Sequence, residues 1–320
     1  MVDYIPIKHF KVGEKYSQVF YIKSLEKRVS TKCTYGVLTL LDVSGEITGY
    51  VWNYTSALPL KVGQWVHLTF IAKEHENKIN FIIQPQDIGT VDETLINKSD
   101  YFYSIHPNVL KVNIERLNSY IAQIEDPDLR DILGNASVKE RLNLVEFMSC
   151  YPYGLKNTLS CDGGLIVYTN HLIMLTLSML DGLKNIEVPL NKSLLIAGAI
   201  FRNLGWTSAL KKGLIWEPSD SYYLVGIRQA SFMIANHICM TTETDLKTQI
   251  PEPKKAALFE ACLKTSVTDA YTPENQILIT ANNILDQMIF NESKLLRAKV
   301  GQDIWLNGLF IGHHASRPEN

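Results

Sequence analysis

The 320-residue sequence predicts a small closed β-barrel followed by a larger, all-α domain. Two observations carry this. Five short segments with strand patterning, separated by tight-turn signals, crowd into the stretch from Tyr16 to Gln84. From Val109 onward the apolar residues fall at helical spacing instead. The composition suits two modest domains with a generous core, since 46% of residues are hydrophobic and 20% charged.

The predicted strands are Gln18–Lys23, Tyr35–Leu41, Ile47–Trp52, Trp65–Ile71 and Ile79–Ile83. Asp42-Val43-Ser44-Gly45-Glu46 is a turn signal between the second and third, and Lys61-Val62-Gly63-Gln64 precedes the fourth. Five short strands with such turns suit a five-stranded OB-type barrel, here given residues 1–90. A barrel of this type offers one face to single-stranded nucleic acid, with aromatics stacking on bases and cations tracking phosphates. The candidates are Lys23, Lys27, Arg28, Lys32, Tyr35 and Trp52. Between Lys23 and Lys32 four cations face one acid, Glu26, which predicts a basic strip on a loop. The competing reading makes this a solvated loop and places Tyr35 and Trp52 inside the barrel.

Residues 91–150 read as a linker and connecting helices. One helix uses Val112, Ile114, Leu117, Ile121 and Ile124; a second restarts at Asp126-Pro127-Asp128, with Asp as cap and Pro in the first turn. Ser137 to Met148 reads as a third, opened by a weak capping box at Ser137-Val138-Lys139-Glu140. Residues 151–312 are predicted to form the helical domain, with 313–320 as a polar tail. Its centre is Leu194–Gly205, a buried helix carrying Arg202 and Asn203 near its end and stopped by Gly205.

The formal net charge of −2 argues against coating nucleic acid by bulk charge and leaves room for a local basic patch. Five scattered cysteines without a CxxC pair point to a reduced compartment, where thiols act as small apolar residues. The first residues show no basic segment ahead of an apolar core, so a cytoplasmic protein is expected. The apolar runs near 164–180 and 194–201 are broken by polar residues and read as too short to span a bilayer.

The order of segments carries a resemblance. After the barrel come "EDPDLRDIL", "KNTLSCDGGLIVYTNHLIML", "LLIAGAIFRNLGWTSAL", "YLVGIRQASFMI" and "TPENQILITANNILDQM". This order over residues 16–310 resembles the YhaM-type 3′→5′ exoribonucleases, in which an OB-fold is joined to a metal-dependent HD-type helical domain. The resemblance implies an HD-type fold for the second domain and a homo-oligomer. It also implies a metal site whose ligands this chain lacks. The family's His pair falls at Thr158 and Leu159, and its Gly-Gly-Leu-Leu-Glu-His histidine at Tyr168. The His-Asp doublet becomes Arg202-Asn203, the lysine after the next glycine Trp206, and the histidine after Leu-x-Gly Ile227. A later His pair falls near Thr265-Ser266, and the aspartate of the last helix becomes Asn282.

A hard divalent cation needs carboxylate or neutral imidazole ligands, and it is the cation that activates water for phosphodiester hydrolysis. Tyrosine, isoleucine and threonine do not replace them, and Arg202 repels a cation. No catalytic residue, metal or cofactor is therefore expected. Arg202 and Arg228 are candidates to hold a strand phosphate without cleaving it; the alternative is a salt bridge from Arg202 to an acid such as Asp162. His171, one turn after Tyr168, reads as a satisfied or exposed histidine, and the pair His313-His314 reads as part of the polar tail, outside the motif order; Asp181 and Asp286 read as isolated surface charges or caps. Gly163-Gly164 is not followed by the Lys-Ser/Thr of a phosphate loop.

The sequence thus points to a catalytically silent binder of single-stranded DNA or RNA, without a membrane role. It would act as an accessory factor in replication, repair or RNA turnover, with a protein partner in such an assembly. The alternatives are a protein-docking scaffold or inhibitor and an active metal-dependent nuclease with a non-standard site.

Overall fold

The computed structural model describes residues 4–30, 33–55, 58, 60–75, 78–89, 91–134, 137–138, 142–155, 157–185, 188–213, 215–297, 303–306 and 309–313. The chain divides into two compact units, one of residues 1–103 with 293–320 and one of residues 104–292.

The first unit contains a closed, OB-like barrel of β1 (Lys15–Val29), β2 (Thr34–Asp42), β3 (Gly45–Trp52), β4 (Trp65–His75) and β5 (Lys78–Ile83). The strand order is β1-β2-β3-β5-β4, and β1 pairs antiparallel with β4 to close it. Only the β3–β5 pairing is parallel; the short β6 (Ile88–Gly89) adds to β4. Alternation sets the two faces. Leu38 and Leu40 of β2, Val51 of β3, Leu68 of β4, and Phe81 and Ile83 of β5 point inward and are fully buried with Phe20 and Ile22 of β1. Gly49 is required at its place, because a Cβ there would lie 2.0 Å from the Phe81 ring.

The predicted turn after β2 is made by Asp42, whose Oδ1 accepts from the backbone N–H groups of Ser44 (2.7 Å) and Gly45 (2.9 Å). Its Oδ2 accepts from the Ile7 N–H (2.6 Å) and the Tyr4 hydroxyl (2.8 Å), so the same carboxylate ties the N-terminal segment to the barrel. Ile7 and Phe10 from that segment are buried in the barrel core. The unit extends past residue 90, since the Tyr101 hydroxyl donates to Val19 O of β1 (2.8 Å).

The second unit is mostly helical. Its helices begin with α1 (Pro107–Ala122) and α2 (Pro127–Gly134), the latter capped as expected by Asp126 Oδ1 on the Leu129 N–H. The helix predicted from Ser137 differs. Residues 137–138 and 142–143 pair as a short antiparallel ladder, and α3 spans only Leu144–Ser149. Asn143 is the cap, its Oδ1 accepting from the Glu146 N–H (2.9 Å). There follow α4 (Gly164–Gly182), α5 (Lys192–Arg202), α6 (Trp206–Ala209), α7 (Asp220–Leu224), α8 (Ile227–Leu246), α9 (Glu252–Leu263) and α10 (Pro273–Arg297). Their core joins Ile166 and Leu172 of α4, Ile196 and Ile200 of α5, Leu258 and Ala261 of α9, and Leu278 of α10.

Three expectations are corrected here. By length and composition α4 is long and apolar enough to cross a membrane, and 56% of its apolar window is buried inside the helical core. Gly205 does not end α5 in a left-handed turn: its φ is −57°, and Asn203 is the C-cap. Glycine is needed there for close approach, since a Cβ would sit 2.0 Å from Ile227 O of α8. The region after 150 is not purely helical. Residues 210–212 pair with 216–218, and 303–306 with 309–313. His313 ends the last of these strands, while His314 and the rest of the predicted tail lie outside the described residues.

Candidate functional site

On the outside of the barrel, the registers of β1, β2 and β3 line up Arg28, Tyr35 and Trp52 in one cross-strand row. The next row is Glu26, Val37 and Tyr50, and Tyr50 pairs onward with Ile82 of β5. Tyr35 stands 5.7 Å from Trp52 and 6.3 Å from Tyr50 between ring centroids. All three rings are half-buried, so each leaves part of its surface in solvent. The reading that placed Tyr35 and Trp52 inside the barrel is therefore corrected; inward-facing residues of β2 and β3 fill it. Tyr50 was missed, although its spacing of two from Trp52 on a strand puts both on one face.

The expected basic strip is not assembled. Residues 23–29 belong to β1 and are not a loop. Lys23 sits at the register shift of β1 and is bound by Glu46. Arg28 gives its Nε and Nη2 to Glu26, at 3.2 and 2.7 Å. Lys27 pairs with Gly36, on the opposite face of β1 from Arg28, and is exposed. Lys32 lies outside the described residues. The face is thus an aromatic patch edged by Arg28 rather than a run of cations.

In the helical unit, two of the residues at the positions of the expected metal ligands, Tyr168 and Asn282, join a packed cluster. Tyr168 of α4 stacks on Tyr153, with centroids 3.4 Å apart and planes within 9°. Both hydroxyls donate to Asp286 Oδ1 of α10, at 2.8 Å from Tyr168 and 2.5 Å from Tyr153. Asn282 Nδ2 donates to Asp286 Oδ2 at 2.8 Å. Burial, together with Asp286, raises both phenols well above the ordinary tyrosine range. Asp286, read as an isolated charge, is the acceptor that organises this group; its spacing of four from Asn282 on a helix was the available signal. Trp206 packs edge-on against Tyr153 at 5.6 Å. Thr158 donates to Glu292 (3.0 Å), Leu159 packs on the core, and Thr265-Ser266 follow the end of α9.

Arg202 has no exposed surface at all. Its Nη1 donates to Ala261 O (2.7 Å) and Lys264 O (2.9 Å) at the C-terminal end of α9, where carbonyls and the helix dipole favour a cation. Arg228 Nη1 donates to Arg202 O at 2.9 Å and reaches Asn203 Oδ1 at 3.5 Å. Burial, and then Arg228, lower the Arg202 pKa to about 9. Both readings of Arg202 are corrected. It is too deeply buried to meet a strand, and Asp162 pairs with Lys212 and accepts from Trp216 Nε1 instead. Ile227 starts α8 and contributes its carbonyl to the contact with Gly205.

Asp181 is a surface charge paired with Lys184, as expected. Burial, with Arg116 nearby, holds the His171 imidazole below its usual range. Among the described residues, no group of three His, Cys, Asp or Glu side chains is placed to hold a metal ion. A surface cleft of about 490 Å³ lies on this unit, lined in part by Tyr151, Lys211, Lys212 and Trp216. No known protein-family model matches the chain.

Proposed function

We propose that this protein binds single-stranded nucleic acid through the outer face of β1–β3 and does not cleave it. The observation that carries this reading is the half-exposed trio Tyr35, Tyr50 and Trp52 beside Arg28. Base–aromatic stacking contributes about 1–3 kcal/mol per base, and three rings offer places for two or three bases. Arg28 is engaged by a surface carboxylate in a solvent-exposed pair, which gives way readily to a phosphate.

The helical unit is, in this reading, an HD-type domain descended from a YhaM-type exonuclease. The cluster of Tyr168, Asn282 and Asp286 supports it, because a phenol and an amide stand at two of the positions at which that family holds its metal. The chain acts as an accessory factor in replication, repair or RNA turnover, as a cytoplasmic homo-oligomer alongside a protein partner. A docking scaffold is the second reading, favoured by Tyr223 and Leu224 on α7, which are 73% and 84% exposed.

The test is a titration of labelled single-stranded DNA and RNA with and without Mn²⁺, followed by the anisotropy of the label and by gel. Binding that weakens with salt and leaves the strand intact is expected. Cleavage restores the nuclease reading, and neither binding nor cleavage moves the function to protein docking.

A further inference from the structure

Arg202 is the largest fully buried side chain among the described residues. Only its Nη1 is used, on two carbonyls. Nε and Nη2 are buried without a partner, and so is Nδ2 of the adjacent Asn203. Nε–H and Nη2–H lie on one edge of the planar guanidinium and point the same way, which suits them to grip an anion from two sides. The molecule uses this edge elsewhere. Arg28 presents it to Glu26, and Arg130 presents it to Ile124 O at 3.0 and 2.8 Å.

Charge adds to the geometry. Arg228 brings a second guanidinium against the Arg202 carbonyl, and no carboxylate pairs with either arginine among the described residues. The nearby Tyr153, Tyr168 and Cys262 do not serve as counter-charges. Burial holds all three protonated, the Cys262 thiol up to about 12. Two cations without an anion, one of them sealed from water, is an arrangement that proteins seldom leave uncompensated.

We propose that the Nε–Nη2 edge of Arg202 holds a small inorganic anion, chloride or an oxyanion such as phosphate. The ion is a structural ligand at the junction of α5, α8 and α9. Full burial of Arg202 restricts the site to a free ion and excludes a phosphate that is part of a strand. The proposal does not depend on nucleic-acid binding by the barrel.

The test follows thermal unfolding of the full chain during titration with sodium chloride or sodium phosphate, with ionic strength held constant by sodium gluconate. A saturating rise of several degrees is expected for the natural sequence. Arg202→Met, which keeps the stem and removes the charge, should abolish that rise. Crystals of the natural protein grown in bromide give a reading that does not need the variant to fold. An anomalous peak within hydrogen-bonding distance of Arg202 Nε and Nη2 supports the site. A water at that edge without a bromide signal overturns it, as does a linear salt trend of equal slope in both proteins.

Discussion

Arg28 with Tyr35 on the barrel and Arg202 with Tyr168 in the helical unit are the same two residue types put to opposite use. Arg28 and Tyr35 face each other across two strands, half in solvent, with bonds that water can replace. Arg202 and Tyr168 have no exposed surface, and their polar atoms must find partners inside the protein. The difference teaches that residue type alone does not mark a binding site. An arginine offers its charge to a strand only where the strand can reach it, and a tyrosine offers its ring only where one side is left uncovered.

The sharpest way to break this contrast is at Asp286. Asp286→Ala removes the acceptor of Tyr153, Tyr168 and Asn282 together. The helical unit should lose about 2–6 kcal/mol, from about 1–3 kcal/mol for each of the two buried phenols that lose their carboxylate acceptor. Denaturant unfolding measures this, and a loss below about 1 kcal/mol would mean that water replaces the carboxylate without cost. Next in size is the surface. Trp52→Ala should weaken oligonucleotide binding by about 1–3 kcal/mol, roughly 5- to 150-fold, with little change in melting temperature. If affinity is unaltered while the barrel loses stability, the aromatic row is a packing feature only.

The matched pair Tyr168→Phe and Tyr35→Phe sharpens the comparison further. The buried hydroxyl should cost about 1 kcal/mol, and the surface one less than about 0.5 kcal/mol. Alkaline pH loads both regions without mutation. Cys262 is held up to about 12 and Cys239 to about 11, against an ordinary 9.0, and the phenols of Tyr153 and Tyr168 are raised as well. Groups whose pKa is raised by folding stabilise fully below their unfolded pKa and lose that contribution as pH rises toward the folded one. Arg202, lowered to about 9, works in the other direction, but it stands against those four and against Cys161 and Tyr151, which burial also raises. Tyr4, Tyr16 and Tyr101 of the first unit are raised by burial as well, so circular dichroism should show both units losing stability between pH 9 and about 12.

Much of the fold was legible because its signals are local. The Asp42 turn, the Asp126 cap and the strands of the barrel each rest on a few neighbouring residues and appear as expected. The failures were of two kinds. Ser137 and Asn143 are both plausible caps, and only the tertiary setting selects Asn143. Asp286 is one acid on a helix until Tyr153 and Tyr168, more than a hundred residues earlier, are placed beside it. The cations of β1 looked like a strip because sequence proximity was taken for a shared face. A strand sends Lys27 and Arg28 to opposite sides, and Glu26 and Glu46 then claim Arg28 and Lys23.

The segment that plugs the barrel core is made before the strands it meets. Tyr4 donates both to Asp42 and to Asp100 O, and Ile5 exchanges a pair of hydrogen bonds with Gln18. On a ribosome this segment emerges well ahead of the carboxylate and carbonyl that will hold it. It has to wait, with Ile7 and Phe10 uncovered, until residue 100 is free of the exit tunnel. A chain interrupted before that point would carry all five strands and still lack the latch on its stopper, which makes the interval between Ile83 and Tyr101 the vulnerable moment in the life of the barrel.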